Sequence, residues 1–156
     1  MERREPLKET TSGVPMDVLF SFACRTNIRH FEAGSVLMRQ GDISDCMHVI
    51  ISGRVRVERE EPNIEDPILL AELGPGEIVG EMGVVLGAPR SATVTAMEDI
   101  ETMELQARSR VSWKRLPVPR EQATPLLNVV GRRLEMNRLV AEAVRRHKEQ
   151  AEATVS

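Results

Sequence analysis

The chain reads as an antiparallel β-sandwich or barrel with a helix on its N-terminal side and a long helix on its C-terminal side. Three observations lead there. Short β-prone runs recur between Ile28 and Leu105, separated by Gly, Asp and Pro. One of them, Arg54-Val55-Arg56-Val57-Glu58, alternates polar and apolar residues as a half-buried strand does. Outside that stretch the texture becomes helical.

Residues 1–14 are polar and contain Pro6 and Gly13, so a flexible arm is expected there. Residues 16–25 carry Val18, Leu19, Phe20, Phe22 and Ala23, which suit one short helix. Eight strands follow, at 28–31, 35–39, 46–51, 54–59, 68–73, 77–79, 91–96 and 100–105. Glycines punctuate them, and Ser52-Gly53 between two strong runs predicts a hairpin. Residues 58–67 form a charged, proline-bounded loop. Residues 109–116, with Trp113, predict a short helix that Pro117-Val118-Pro119 ends. A long helix then spans about 121–150, with Pro125 suited to a first helical position. Its residues Leu127, Val130, Leu134, Asn137, Ala141 and Val144 follow the spacing of a coiled-coil seam. That stripe predicts either a homodimer through the C-terminal helix or packing onto the β-domain. The domain thus covers 15–150, with the β-region at about 28–106, the C-terminal helices at about 109–150 and a tail at 151–156.

Composition narrows the function. A length of 156 residues fits one domain with a terminal appendage. Lys plus Arg is 21 against 24 for Asp plus Glu, a net charge of −3, which argues against a nucleic-acid binder. Aromatics are 3% with no Tyr, so the core is aliphatic and base-stacking platforms are scarce. No apolar run approaches the roughly 18 residues a membrane span needs. Cys24 and Cys46 form neither a disulfide framework nor a Cys-x-x-Cys motif. A cytoplasmic protein with reduced thiols is expected.

The chemistry concentrates in Gly80-Glu81-Met82-Gly83-Val84-Val85-Leu86-Gly87-Ala88-Pro89-Arg90-Ser91-Ala92. A strand ends before it, and residues 81–86 make about one helical turn. Free N–H groups at that start can meet an anion. Arg90 adds a planar fork for phosphate. Glu81 can accept hydrogen bonds from sugar hydroxyls. The plainer alternative is a surface turn with a Glu–Arg ion pair.

This stretch resembles the phosphate-binding cassette of cyclic nucleotide-binding domains, the module of catabolite activator protein and of cAMP-dependent kinase regulatory subunits. Phe31-Glu32-Ala33-Gly34-Ser35-Val36-Leu37, Arg39-Gln40-Gly41-Asp42 and Asp45-Cys46-Met47-His48-Val49-Ile50-Ile51-Ser52-Gly53-Arg54-Val55 resemble the same family's first strands, turn and central hairpin. The resemblance covers about residues 16–140. It implies a jelly-roll-like antiparallel β-roll, and cAMP or cGMP as regulatory ligand. It implies that Glu81 accepts from the ribose 2′-hydroxyl, Arg90 pairs with the cyclic phosphate, and Ser91 adds a hydroxyl contact. Backbone N–H groups around Gly80, Glu81 and Met82 would complete the cradle. Gly131-Arg132-Arg133-Leu134 resembles the start of the family's long helix, and Asn137 falls at a purine-contacting position. Arg133 would also approach the ligand.

Two residues depart from the family pattern. Val79 stands where Phe is frequent, and Asn137 is not the Thr of the best-known bacterial example, which leaves base preference open. The family's bacterial transcription factors continue into a helix-turn-helix domain, which is not expected from the residues after the long helix here. The expected function is therefore a cyclic-nucleotide sensor, not an enzyme, without a DNA-binding or catalytic domain of its own. It would signal through its C-terminal helix to an effector protein or a missing effector domain. The alternative is a ligand-free or differently liganded interaction module on the same fold. An enzyme of the cupin type would need clustered ligands, whereas His30, His48 and His147 are scattered, so no metal is expected. Asp42-Ile43-Ser44-Asp45 faintly resembles a calcium loop but has too few acidic residues for one.

Overall fold

The computed structural model describes residues 8–155. Its element order is α1 (Met16–Phe22), β1 (Ala23–Phe31), β2 (Val36–Met38), β3 (Cys46–Ser52), β4 (Val55–Arg59), β5 (Ile68–Leu73), β6 (Ile78–Val79), α2 (Glu81–Leu86), β7 (Thr93–Ala96), β8 (Ile100–Ala107) and α3 (Arg120–Val155). The strands form two four-stranded sheets, ordered β1-β8-β3-β6 and β2-β7-β4-β5. Every named pairing is antiparallel. This is the expected β-roll with a helix before it and a long helix after it.

Strand periodicity divides the core in two. On β3, Met47 and Val49 face one way and His48 and Ile50 the other. Met47 and Val49 join α1, α2 and the first part of α3 in an apolar cluster with Leu105, Val85, Leu126 and Val130. Ile50 joins Met38, Val55, Val79, Val94, Ala96 and Ile100 in a second cluster drawn from both sheets. The β3 strand is thus covered on both faces, which explains its nearly continuous apolar run.

Several expectations change. Ser52 and Gly53 do not close a hairpin: β3 pairs with β6 and β8, whereas β4 pairs with β5 and β7. The turn carries the chain from one sheet to the other. Residues 109–116 form no helix. Arg110 adopts φ 67°, and Trp113 N–H donates to the Val85 carbonyl at 2.8 Å instead of to its own turn. Residues 23–25 belong to β1, because β8 offers them partners as far as Ala107.

At the N-terminal side, residues 8–14 fold back. Thr10 Oγ1 accepts the Val14 N–H at 3.1 Å, Glu9 bridges Pro15, and Val14 enters the core. The remainder of the expected arm, residues 1–7, lies outside the described residues, as does residue 156 of the expected tail. Residues 151–155 continue α3.

The long helix begins at Arg120, one turn earlier than Pro125 suggested, so Pro125 lies inside it. The Pro119 carbonyl accepts from Gln122 and Ala123 at 2.9 and 3.3 Å and starts the helix. Within one chain, Ala123, Leu126, Val129, Val130 and Ala141 are buried, while Leu134 and Leu139 are about half exposed. Intramolecular packing therefore claims Val130 and Ala141 of the expected seam.

Candidate functional site

Gly80, Glu81, Met82, Arg90, Ser91, Arg133 and Asn137 all line one cavity of about 120 Å³. One wall is the 80–92 segment. The other includes Leu70, Ala71 and Leu73 of β5, and Arg133, Met136 and Asn137 of α3 form the roof. Sequence reasoning missed the β5 residues, because only strand pairing brings them to the cassette.

Local geometry explains the first residues. Gly80 adopts φ 83°, a left-handed conformation that an L side chain disfavours, and leads into α2. A Cβ there would meet Arg90 Nη1 at 2.8 Å and Met38 Cε at 2.9 Å. The glycine leaves room for the guanidinium to fold over the start of α2. Gly87, at φ 64°, ends α2 and returns the chain toward Arg90.

Arg90 is fixed from both ends. Its backbone N–H donates to the Asp42 carbonyl at 2.8 Å, and its own carbonyl accepts from the Gly41 N–H at 2.8 Å. Its side chain is only 4% exposed. Nη1 donates to the Gly80 carbonyl at 3.0 Å, and Nη2 lies 3.3 Å from Cys46 Sγ. The nearest carboxylate oxygen, Asp45 Oδ1, is 3.8 Å away on a side chain that is 73% exposed. A buried guanidinium held by a carbonyl, a thiol and one distant solvated carboxylate is poorly neutralised, and such burial is costly.

Glu81 is the complementary case. Its side chain is 1% exposed. Oε1 accepts from Arg133 Nη1 at 2.5 Å, and that same nitrogen donates to the Ile78 carbonyl at 2.6 Å. Oε2 is buried with no hydrogen-bond partner. Buried polar atoms are normally paired, so an orphan acceptor marks a place where a donor belongs. Glu81, Arg90 and Arg133 together give the cavity lining a charge of +1.

Met82 lies between the last two candidates. Ser91 Oγ is 3.9 Å and Asn137 Nδ2 is 4.0 Å from its sulfur. These are weak contacts, so both polar groups remain available to stronger partners. Arg132 is exposed, and Arg138 pairs along the helix surface with Glu135 at 2.6 Å and Glu142 at 2.8 Å. Of Arg132, Arg133 and Arg138, only Arg133 turns toward the cassette.

Behind Arg90 lie two groups whose proton affinities are displaced. Burial pushes the Cys46 thiol up to about 11, opposed in part by the Arg90 guanidinium. Burial, with the nearby Arg90 and Arg29 charges, holds His48 down at about 4, so its ring is neutral at pH 7. Among the described residues, no helix is long and apolar enough to cross a membrane.

The comparisons with known proteins bear on the family and the fold. The model of the family described as the cyclic nucleotide-binding domain matches residues 28–110. Lysophospholipase NTE1 of Candida albicans is 42% identical over 79 residues, covering 49% of this chain and 6% of that protein. A cyclic nucleotide-gated potassium channel of Rhizobium etli is 39% identical over 75 residues, covering 48% of this chain and 19% of the channel. Among solved structures, a mutant of the cAMP-binding acyltransferase from Mycobacterium smegmatis aligns with a TM-score of 0.50 and 34% identity, over 53% of this chain and 25% of that one. The shared segment is a minor part of each relative's length. With more than half of its residues matched by the family model, and with a β-roll that carries the cassette at its cavity, the chain belongs to the cyclic nucleotide-binding domain family.

Proposed function

We propose that the chain is a cAMP-binding sensor domain that signals by moving α3. The observation that carries this reading is the pairing, on one cavity wall, of a poorly neutralised buried guanidinium with a buried carboxylate oxygen that lacks a donor. A cyclic nucleotide supplies both missing partners. Its phosphate carries the negative charge Arg90 lacks, with Ser91 Oγ as a further donor. Its ribose 2′-hydroxyl donates to Glu81 Oε2. Gly80, Glu81 and Met82 line the same wall, where their backbone N–H groups would complete the phosphate cradle, and Asn137 can both donate to and accept from a purine edge.

The signal runs through Arg133. Its guanidinium ties α3 to Glu81 and to the Ile78 carbonyl. A hydroxyl on Oε2 withdraws charge from the carboxylate that holds this tether. The cavity is also smaller than the roughly 300–1,000 Å³ usual for ligand pockets, so a nucleotide must displace its roof. Micromolar binding supplies about 8 kcal/mol. Only the part that differs between two α3 positions drives the switch. An effector protein or fused effector domain would read the new position, as would a second copy joined through α3. The cytoplasm, where cAMP is made and degraded, suits such a sensor. cGMP is the competing ligand, and Asn137 is the residue expected to choose between them.

Isothermal titration with cAMP, cGMP and 5′-AMP tests the reading. Micromolar or tighter binding of a cyclic form, with 5′-AMP excluded, supports it. Silence from both cyclic forms in a folded protein sinks it in favour of an interaction module. Two substitutions separate the contacts. Glu81→Gln is expected to lose more affinity for cAMP than for 2′-deoxy-cAMP, by about tenfold for one charge-assisted hydrogen bond. Equal losses would remove Glu81 from ribose recognition. Asn137→Ala is expected to change the cAMP-to-cGMP affinity ratio several-fold, and an unchanged ratio would take the purine role from it.

A further inference from the structure

The same strand register that builds the β-roll also gathers a second set of ligating atoms, behind Arg90 and outside the nucleotide cavity. Cys46 and His48 are two apart on β3 and so share a face. Glu104 on β8 is the cross-strand partner of His48. The His48 Nε2 atom lies 3.7 Å from Cys46 Sγ and 3.8 Å from Glu104 Oε2. All three donor atoms fall within 4.8 Å of one another.

We propose that Cys46, His48 and Glu104 form a binding site for a transition-metal cation of the zinc class. Bonds of about 2.0–2.3 Å at tetrahedral angles keep zinc donors roughly 3.3–3.6 Å apart, so the two separations from His48 Nε2 need only a few tenths of an ångström of closure, while Cys46 and Glu104, within 4.8 Å of each other, close by up to about 1.5 Å. The donor set of one thiolate, one imidazole and one carboxylate is that of a borderline cation, not of calcium or magnesium. Three protein ligands leave a fourth position for water.

The surroundings are those of a built site. His48 is 1% exposed, and its Nδ1 lies 2.9 Å from Thr102 Oγ1. With the proton on Nδ1, that N–H donates to the hydroxyl and leaves the Nε2 lone pair facing Cys46 and Glu104, as in ligating histidines generally. The Phe31 ring meets the imidazole edge-on at 5.8 Å and fixes its plane. Arg29 Nη1 donates to Glu104 Oε2 at 2.8 Å, which braces the carboxylate. Arg90 flanks the sulfur on the other side. On binding, the Cys46 S–H bond breaks, its proton goes to solvent, and the sulfur electron pair forms the metal bond. The thiolate and carboxylate then balance the two charges of the cation, so the flanking guanidiniums meet a neutral centre. Cys46 also opens on a surface groove lined by Asp42 and Asp45 together with Arg39 and Arg90, which gives a cation a path from solvent to the thiol. Scattered histidines had argued against a metal, but the third ligand becomes visible only through β3–β8 pairing.

The test is a cobalt titration of the folded chain carrying Cys24→Ser, so that Cys46 is the sole thiol. The expected result is a thiolate-to-cobalt charge-transfer band with tetrahedral visible bands, saturating at one equivalent and removed by zinc. Cys46→Ser in that background is expected to abolish the charge-transfer band. Glu104→Gln, on a less buried side chain, is expected to weaken cobalt binding at least tenfold, as is Thr102→Val, in line with losses of about 10–100-fold on removing outer partners of a metal site. Absence of the charge-transfer band at excess cobalt overturns the proposal, as does its persistence in Cys46→Ser. If Cys46→Ser fails to fold, Glu104→Gln decides, and unchanged affinity there overturns the site.

Discussion

Arg90→Ala is expected to weaken cAMP binding by about 30- to 5,000-fold, the range that corresponds to losing one partner of a desolvated charge pair at 2–5 kcal/mol. The ligand-free protein is expected to lose far less stability. In the empty site Arg90 is a buried cation with no carboxylate at hydrogen-bond distance. Its removal costs packing and the bond to the Gly80 carbonyl, but relieves the desolvation of an unneutralised charge. Arg90→Lys keeps the charge and loses the fork, so its affinity should fall between the two. Calorimetric affinities and melting curves without ligand check this together. Parental affinity in Arg90→Ala would refute the phosphate role, and collapse of the fold would make the arginine structural instead.

Gly53→Ala is expected to destabilise the β-roll strongly for a change of one carbon. Gly53 adopts φ 84°, and an added Cβ would lie 2.4 Å from Ile100 Cγ2, 2.8 Å from the Asp99 carbonyl and 3.1 Å from Ile100 Cα. The left-handed conformation costs a non-glycine residue about 1–2 kcal/mol. Overpacking adds about 1–3 kcal/mol, and here two of the three clashing atoms are backbone and cannot swing aside. A loss of roughly 2–5 kcal/mol lowers Tm by about 5–15 °C in a domain of this size. Circular-dichroism melts of parent and variant measure it, and a shift under 1 °C would show that β4 and the 97–100 turn can part at little cost. The turn matters because it joins the two sheets, so strain there disturbs both.

How much of this was legible depends on sequence distance. The β3, β4 and β5 runs announced themselves through composition and turn residues, and the structure places them within a residue of expectation. Of the seven candidate residues, Glu81 and Arg90 came from the local chemistry of the cassette and the others from the family resemblance that the cassette and the α3 pattern carry. They meet because α2 and α3 pack against the same face of β3 and β6. What failed to show was pairing. Ser52-Gly53 has the local chemistry of a hairpin, yet its flanking strands go to different sheets. Residues 109–116 have helical composition, yet the Trp113 N–H finds the Val85 carbonyl. The Leu70, Ala71 and Leu73 wall and the Glu104 partner of His48 both depend on contacts between distant segments, about which a local pattern is silent.

The position of Arg133 on α3 has a mechanical consequence. From that residue to Val155 the helix extends about 33 Å, at 1.5 Å per residue. Eight residues before Arg133, Pro125 lacks the N–H that would bond four residues back, which makes its turn the weakest point of the rod. Bending at that proline makes the rest of the helix a lever. A tilt of about 10° about that proline carries its far end, roughly 45 Å away, some 8 Å, for a displacement of only about 2 Å at Arg133. On the proposed mechanism, one guanidinium released from one carboxylate would thus be geared up to a distance that a neighbouring protein can detect.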